Sequence, residues 1–351
     1  MEKNRARGWL KAIWPHLNQD ELRSDNYDRF TQFIAGQLAA STPRRVGSEP
    51  EVLSLLRELR KVEPDSFTRT NAYTTTQNVL PAGSNSQMLH AKTLELVLRI
   101  IFTLDFSTGP SDNPQVSINP GPTAWEDETT LSETLAEHFS KLSSPSFDMK
   151  TGRIDPRMTM AHLHSHKGLT VCWTSNLAEH LAINWKSRVI SMYEHKICLW
   201  NHLSSPSPPI IPREILEEAI DTLNLLFPLN DAPTKSFLKQ SERSFYGLGY
   251  CKRERCYELD KFRIWRERMA DLIDVMNEEP RGVQQLALSK DGKNLLSFAT
   301  FWVASTVAVL TIISIAFGTV QTVYSVKQYN LAIALACAGP EARAALPEYC
   351  A

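Results

Sequence analysis

Residues Asn294 to Val326 read NLLSFATFWVASTVAVLTIISIAFGTVQTVYSV, a run without a charged side chain between Lys293 and Lys327. The hydrocarbon core of a bilayer is roughly 30 Å thick and is crossed by about 20 apolar helical residues, so the run spans it with length to spare. Its centre, Phe301 to Tyr324, is rich in Val, Ile, Ala and Phe, and Trp302 and Tyr324 stand where amphipathic rings favour the headgroup level. The reading is a single transmembrane helix over residues 294–326. A buried helix of a soluble domain would be shorter and would carry some charge.

Flanking charge sets the expected orientation. Arg263, Arg266, Arg268, Arg281, Lys290 and Lys293 lie upstream, and only Lys327 and Arg343 downstream. Lys and Arg are retained on the cytosolic side, which places the long N-terminal part there. Gly8 to Leu17 is interrupted by Lys11, Pro15 and His16, so no signal peptide is expected. A span this close to the C-terminal end suits tail-anchored insertion, leaving residues 327–351 as a short lumenal or extracellular tail. Cys337 and Cys350 then face an oxidising compartment, whereas Cys172, Cys198, Cys251 and Cys256 stay thiols. A disulfide between Cys337 and Cys350 and two unpaired tail cysteines both fit that spacing.

Across the 351 residues, 38 Lys+Arg stand against 39 Asp+Glu. No basic excess marks a phosphate-binding face, which argues against a nucleic-acid partner. The upstream part reads as mainly helical, with a small α+β insert. Residues 1–154 form an N-terminal helical region, with helical spacing over Trp9–Ala39 broken at Pro15 and capped again at Asp20. Further helices are expected over Pro50–Lys61 and Gln87–Leu104, then a loop from Ser107 to Pro122. A helix carrying Leu131, Leu135 and Phe139 follows, capped by Asp127 or Thr129.

Residues 155–203 change character. A helix over Met158–Lys167 closed by Gly168, a strand over Leu169–Trp173, a helix from Ser175 to Leu181, a strand over Arg188–Tyr193 and a helix over Ile197–Leu203 compose the insert. That order allows a winged-helix-like unit, without the basic recognition helix that reads DNA. Residues 204–212 are a stiff Pro/Ser-rich linker. Residues 213–293 then form a helical hairpin leading to the membrane, built from Arg213–Phe227 and Tyr257–Asn277. Phe262, Trp265, Met269, Leu272 and Met276 recur at spacings of three and four, the seam of a helix packed on a partner. The expected seat is the face Ile215, Ala219, Ile220 and Leu223, with a second subunit as the alternative.

Chemistry-bearing groups are few. His162 and His166 are four apart and share a helical face while His164 points away, so a metal site needs a third ligand from His180 or His195. Surface and capping histidines account for the same pattern, and no metal or other cofactor is expected. The spacing of Cys251 and Cys256 is not a tight zinc spacing, and Gly247 and Gly249 lack the residues that would make a phosphate loop. No nucleophile elbow, zinc-protease helix or kinase signature is present. Within the span, Ala304, Ala308, Thr311, Ile315 and Gly318 share a stripe, and Ser314 and Gly318 have the spacing that lets two membrane helices approach.

Several blocks carry a resemblance: WTSNLAEHL over Trp173–Leu181, Tyr193-Glu-His, PREILEEAIDTLNLLF over Pro212–Phe227, FYGLGYC over Phe245–Cys251, and SFATFW over Ser297–Trp302. Together they resemble a large group of filamentous-fungal single-pass membrane proteins over residues 155–350. The resemblance implies kinship and a shared anchor, and it brings no activity and no catalytic residue. A more distant likeness is to CorA-type magnesium channels, where an amphipathic helix feeds the first membrane helix. That likeness implies ion transport, but the family's Gly-Met-Asn motif and second span are not found: the nearest match is Gly318-Thr-Val, and Leu331 to Ala338 is too short to cross.

Two functional readings fit these residues. The first is a tail-anchored protein whose helical part binds a protein partner or a second copy of itself, without catalysis. The second is a membrane-tethered metal-dependent enzyme using His162 and its neighbours, or a divergent ion-transport component.

Overall fold

The computed structural model describes residues 3–41, 46–80, 86–107, 122–142, 152–278, 295–339, 341, 348 and 350. They belong to two units, Met1–Glu278 and Glu279–Ala351. Several helices in the first unit begin where a side chain takes up free amides of the opening turn. Among them are α1 (Lys3–Ile13), α2 (Asp28–Ala40), α3 (Glu49–Leu59), α4 (Arg69–Val79), α5 (Ser86–Phe102) and α6 (Leu131–Leu142). Ser48 and Glu51 form a reciprocal capping box on α3, and Thr68 accepts from the Asn71 amide at the start of α4.

Three local expectations are corrected here. The cap assigned to Asp20 is supplied by Asn18, whose Oδ1 accepts the Glu21 amide at 2.8 Å. The α6 cap is Thr130, boxed with Glu133, in place of Asp127 or Thr129. Helix α4 was not anticipated, because its sequence RTNAYTTTQNV buries only Ala72 and Thr76 and so carries no apolar stripe. Two short strands, β1 (Phe106–Ser107) and β2 (Thr123–Ala124), pair in parallel. The loop expected between them falls almost entirely outside the described residues.

The insert holds α7 (Met160–Lys167), β3 (Thr170–Thr174), β4 (Ile183–Asn184), β5 (Val189–Tyr193) and α8 (Lys196–Ser204). Thr159 caps α7, and Gly168 ends it at φ +69°, a left-handed conformation that glycine adopts without a Cβ clash. The sheet order is β3-β5-β4, with β3 parallel and β4 antiparallel to the central β5. The helix expected from Ser175 to Leu181 is a single 3-10 turn, Leu177–Glu179, capped by Asn176. A winged helix needs a full helix there to enter a groove, so that arrangement is absent from the insert.

Helices α9 (Arg213–Leu226), α10 (Ala232–Gln240) and α11 (Arg266–Asn277) complete the first unit. The long helix expected over Tyr257–Asn277 is half that length. Glu258 pairs instead with Arg153 in an antiparallel bridge, and Ile154 N–H donates to Tyr257 O at 2.7 Å. The turn before α11 is fixed by a buried carboxylate. Glu218 of α9 accepts the amides of Arg263 at 2.8 Å, Ile264 at 2.9 Å and Trp265 at 2.8 Å. Four seam residues, Phe262, Trp265, Met269 and Leu272, are buried, and Met276 is half-buried. Helix α11 packs on α7, while Glu218 of α9 holds the turn at its head, and the seam shares one core cluster with Ile215, Ala219, Ile220 and Leu223. The Trp265 ring meets Phe139 of α6 and His180 at centroid distances of 5.7 and 5.5 Å.

The boundaries expected at residues 154 and 203 lie inside this unit, and its core runs through them. Trp14 packs on Phe30 at 5.0 Å and on His202 at 6.1 Å, Tyr193 OH bonds Thr103 Oγ1 at 2.7 Å, and the linker ends in buried Ile210 and Ile211.

The second unit contributes α12 (Leu295–Ala336), 42 residues long. At 1.5 Å per residue it measures about 63 Å, twice a hydrocarbon core, and it runs past Val326 through Lys327. Its Phe298–Ala336 portion contains an 18-residue stretch with a mean hydropathy of 2.1 and is the one helix among the described residues long and apolar enough to cross a membrane. Cys337 and Cys350 are joined by a disulfide, with Cα atoms 5.5 Å apart.

Trp265→Ala removes one of the largest fully buried side chains of the unit and is expected to cost about 3–5 kcal/mol. Urea unfolding checks this. The loss should be independent of protein concentration, because the partners of the ring lie in the same chain.

Candidate functional site

Helix α7 gathers the histidines. Thr159 Oγ1 accepts the His162 amide at 3.1 Å and fixes the first turn, so His162 and His166 rise on one face with rings stacked 4.2 Å apart. His164 turns away, its Nδ1 bonded to Leu169 O at 2.7 Å and its ring against Phe237. Burial first, then the neighbouring His166, Lys167 and Arg157, pushes His162 down to about 4, so it is neutral at pH 7. The third ligand weighed for a metal, His180, is elsewhere. Its Nε2 bonds Thr222 Oγ1 at 2.8 Å and its Nδ1 accepts the Tyr193 amide at 3.3 Å, so neither ring nitrogen is open. Among the described residues no three His, Cys, Asp or Glu side chains are grouped to hold a metal.

His162 and His166 instead line an open cleft of about 470 Å³ with Arg157, Asp231, Tyr250 and Arg255. Arg157 is paired with Asp155, and Asp231 caps α10 by accepting the Thr234 amide at 2.8 Å. Tyr250 OH accepts the Leu229 amide at 3.2 Å, and Arg255 donates to Leu225 O at 2.8 Å while lying over the Tyr257 ring. Arg157, Asp231, Tyr250 and Arg255 thus each have a structural partner, while Ser165 Oγ, also on the wall, donates to Ala161 O at 2.7 Å and lies 2.7 Å from His166 Nδ1.

A second group was not singled out from sequence. Ser175 Oγ lies 3.0 Å from His195 Nε2 and 3.2 Å from Glu194 Oε1, and Glu194 also pairs with Arg243 at 2.9 Å. Serine beside histidine suggests a nucleophile and its base. Counting protons gives the opposite assignment. An ionised Glu194 only accepts, so the single Ser175 proton goes to it, and His195 Nε2–H must then donate to Ser175. A base would have to accept at that position. His195 is also 1% exposed, walled by Phe30, Phe33 and Tyr193, and burial pushes it down to about 3.

Other buried polar groups are tied in the same manner. Lys196 Nζ donates to Asn224 Oδ1 at 2.7 Å and Gly249 O at 2.8 Å, with burial pushing it down to about 8. His202 Nε2 bonds Ile101 O at 3.0 Å. These bonds explain the FYGLGYC block: Gly249 at φ +58° and Tyr250 present backbone carbonyls to Lys196 and Asn224.

The sequence-selected membrane residues Ala304, Ala308, Ser314 and Gly318 lie on α12, where Gly318 has open space around its Cα. Neither a family model, nor a curated protein, nor a solved structure matches the chain.

His180, His195 and His202 are held neutral by burial, pushed from 6.5 down to about 3, 3 and 4. Between pH 6.5 and 4 the unfolded chain therefore binds protons that the folded chain refuses, and each group removes up to about 1.4 kcal/mol of stability per pH unit. The melting temperature should be level at about pH 7, above the titration of these rings and below that of Lys196, and fall steadily from pH 6.5 to 4.5. A profile flat across that window would show that these rings ionise in place.

Proposed function

We propose that the chain is a tail-anchored, single-pass membrane protein whose helical unit, residues 1–278, stands on the cytosolic face and acts by binding a protein partner or a second copy. The observation that carries this reading is α12, an apolar helix of membrane-spanning length at the C-terminal end of the chain. The Lys and Arg excess upstream of it supports the orientation. A second, independent support is the distribution of cysteines. The disulfide Cys337–Cys350 lies beyond the span, and the thiols Cys172, Cys198, Cys251 and Cys256 lie before it, as an oxidising and a reducing side of one membrane require.

Binding is favoured over catalysis by the hydrogen bonds themselves. Groups that would be recruited as acid, base or nucleophile, Ser175, His180, His195 and Lys196, are spent on joining elements of the fold. The stacked pair His162 and His166 has two ligands for a metal and no third among the described residues.

Sealed microsomes carrying the full chain test the topology. Added protease should remove residues 1–278 and leave a protected fragment containing α12, and a membrane-impermeant maleimide should label the exposed Cys172 while the tail stays unlabelled. Protection of the helical unit would reverse the orientation. Release of the chain by alkaline carbonate would remove the anchor altogether.

A further inference from the structure

The first unit covers its large apolar side chains, with two conspicuous exceptions among the described residues, Met88 and Trp185. Trp185 is 49% exposed at the tip of the β4–β5 hairpin, followed by exposed Lys186 and Ser187. The tip is a built turn. Asn184 Oδ1 accepts the amides of Lys186 at 3.1 Å and Ser187 at 3.2 Å, and Arg188 closes it at φ +52°, in the left-handed region. A non-glycine residue held there marks a turn whose shape the surroundings enforce.

What enforces it is the end of the folded unit. Arg188 Nη2 pairs with Glu278 Oε2 at 2.9 Å and donates to Lys167 O at 3.1 Å, and Lys167 Nζ donates to Glu278 O. Glu278 is the last residue of the unit, from which the chain continues to α12 at Leu295. The base of the hairpin is therefore tied to Glu278, the last residue of the first unit. A Trp beside a Lys is the pairing that bilayer interfaces favour: the indole settles at headgroup depth and the ammonium meets anionic phosphates.

We infer that the Trp185–Lys186 hairpin tip is a second membrane contact, which docks on anionic lipid headgroups. This rests on the reading of α12 as a span. Tethering makes the encounter intramolecular, so a contact of one Trp and one Lys is made more often than it would be by a free protein.

The test uses the full chain reconstituted into vesicles of phosphatidylcholine, with or without phosphatidylserine, carrying a phospholipid photo-crosslinker near its headgroup. After irradiation and digestion, lipid adducts are mapped by mass spectrometry. The inference expects adducts on the peptide holding Trp185 as well as on α12, a stronger hairpin adduct with phosphatidylserine, and its loss in the double variant Trp185→Ser, Lys186→Glu while the α12 adducts persist. Adducts on α12 with none on the hairpin overturn the inference and leave the anchor standing. Absence of adducts from α12 itself overturns the anchor reading. A hairpin adduct indifferent to the double substitution also sinks the inference, because the contact would then not be made by these side chains. Circular dichroism of the variant checks that it is folded, which an exposed turn should allow.

Discussion

A single buried carboxylate fixes how the helical unit ends. Glu218 projects from the middle of α9 and accepts three consecutive amides, those of Arg263, Ile264 and Trp265. These amides belong to the turn that leads into α11 and ends at its N-cap Trp265, and the negative charge lies near the positive end of that helix. Burial pushes the carboxyl above its ordinary value while the three amides pull it down, so the side chain is a costly group made tolerable by complete hydrogen bonding. What the cap secures is position. With Trp265 held at the mouth of α11, its ring reaches Phe139 and His180, and the helix then runs along α7 to Glu278.

From Glu278 the consequences pass outward. Its carboxylate pairs with Arg188 and its carbonyl accepts from Lys167, so the last turn of the unit is joined to the hairpin and to the end of α7. The same helix α7 carries the stacked histidines on one side and His164 on the other, packed against Phe237 of α10. One capping interaction in α9 thus sets the helix against which the cleft-lining element rests. The buried bonds of Lys196 and His180 do equivalent work around α8 and β5, tying polar groups between elements where apolar contacts alone would leave the register loose.

Legibility in the sequence followed the range of the interaction. The span was readable because thirty-odd uncharged residues admit few structures, and its continuation beyond Lys327 was missed because one charge was taken as an end. Helices α7 and α9 were readable from local signals, Thr159 with Gly168 and the proline at 212. The failures share a cause. Phe262 and Trp265 mimic helical spacing with the residues that follow, yet the chain there makes a single 3-10 turn (Leu259–Lys261) and a bend, because Arg153 pairs with Glu258 and Glu218 takes the amides. Nothing within twenty residues encodes either contact. The Ser175, Glu194 and His195 group was equally hidden, since the strand β5 and the turn after β3 meet only once the sheet is formed. Even the seam was half read: its apolar spacing was visible, whereas its seat against α6 and α7 depends on a cap that sits forty-odd residues upstream.

This distribution of bonds also bears on what the molecule can do. A catalytic group must be free to change its protonation or to attack, and it is held by a partner that orients without consuming it. Ser175 gives its proton to Glu194, His180 has both nitrogens occupied, and Lys196 divides its donors between Asn224 and Gly249. Such groups contribute specificity of fold, and releasing one for chemistry would open the core. Among the surfaces the fold does not use are the open cleft beside α7 and the hairpin tip with its exposed indole.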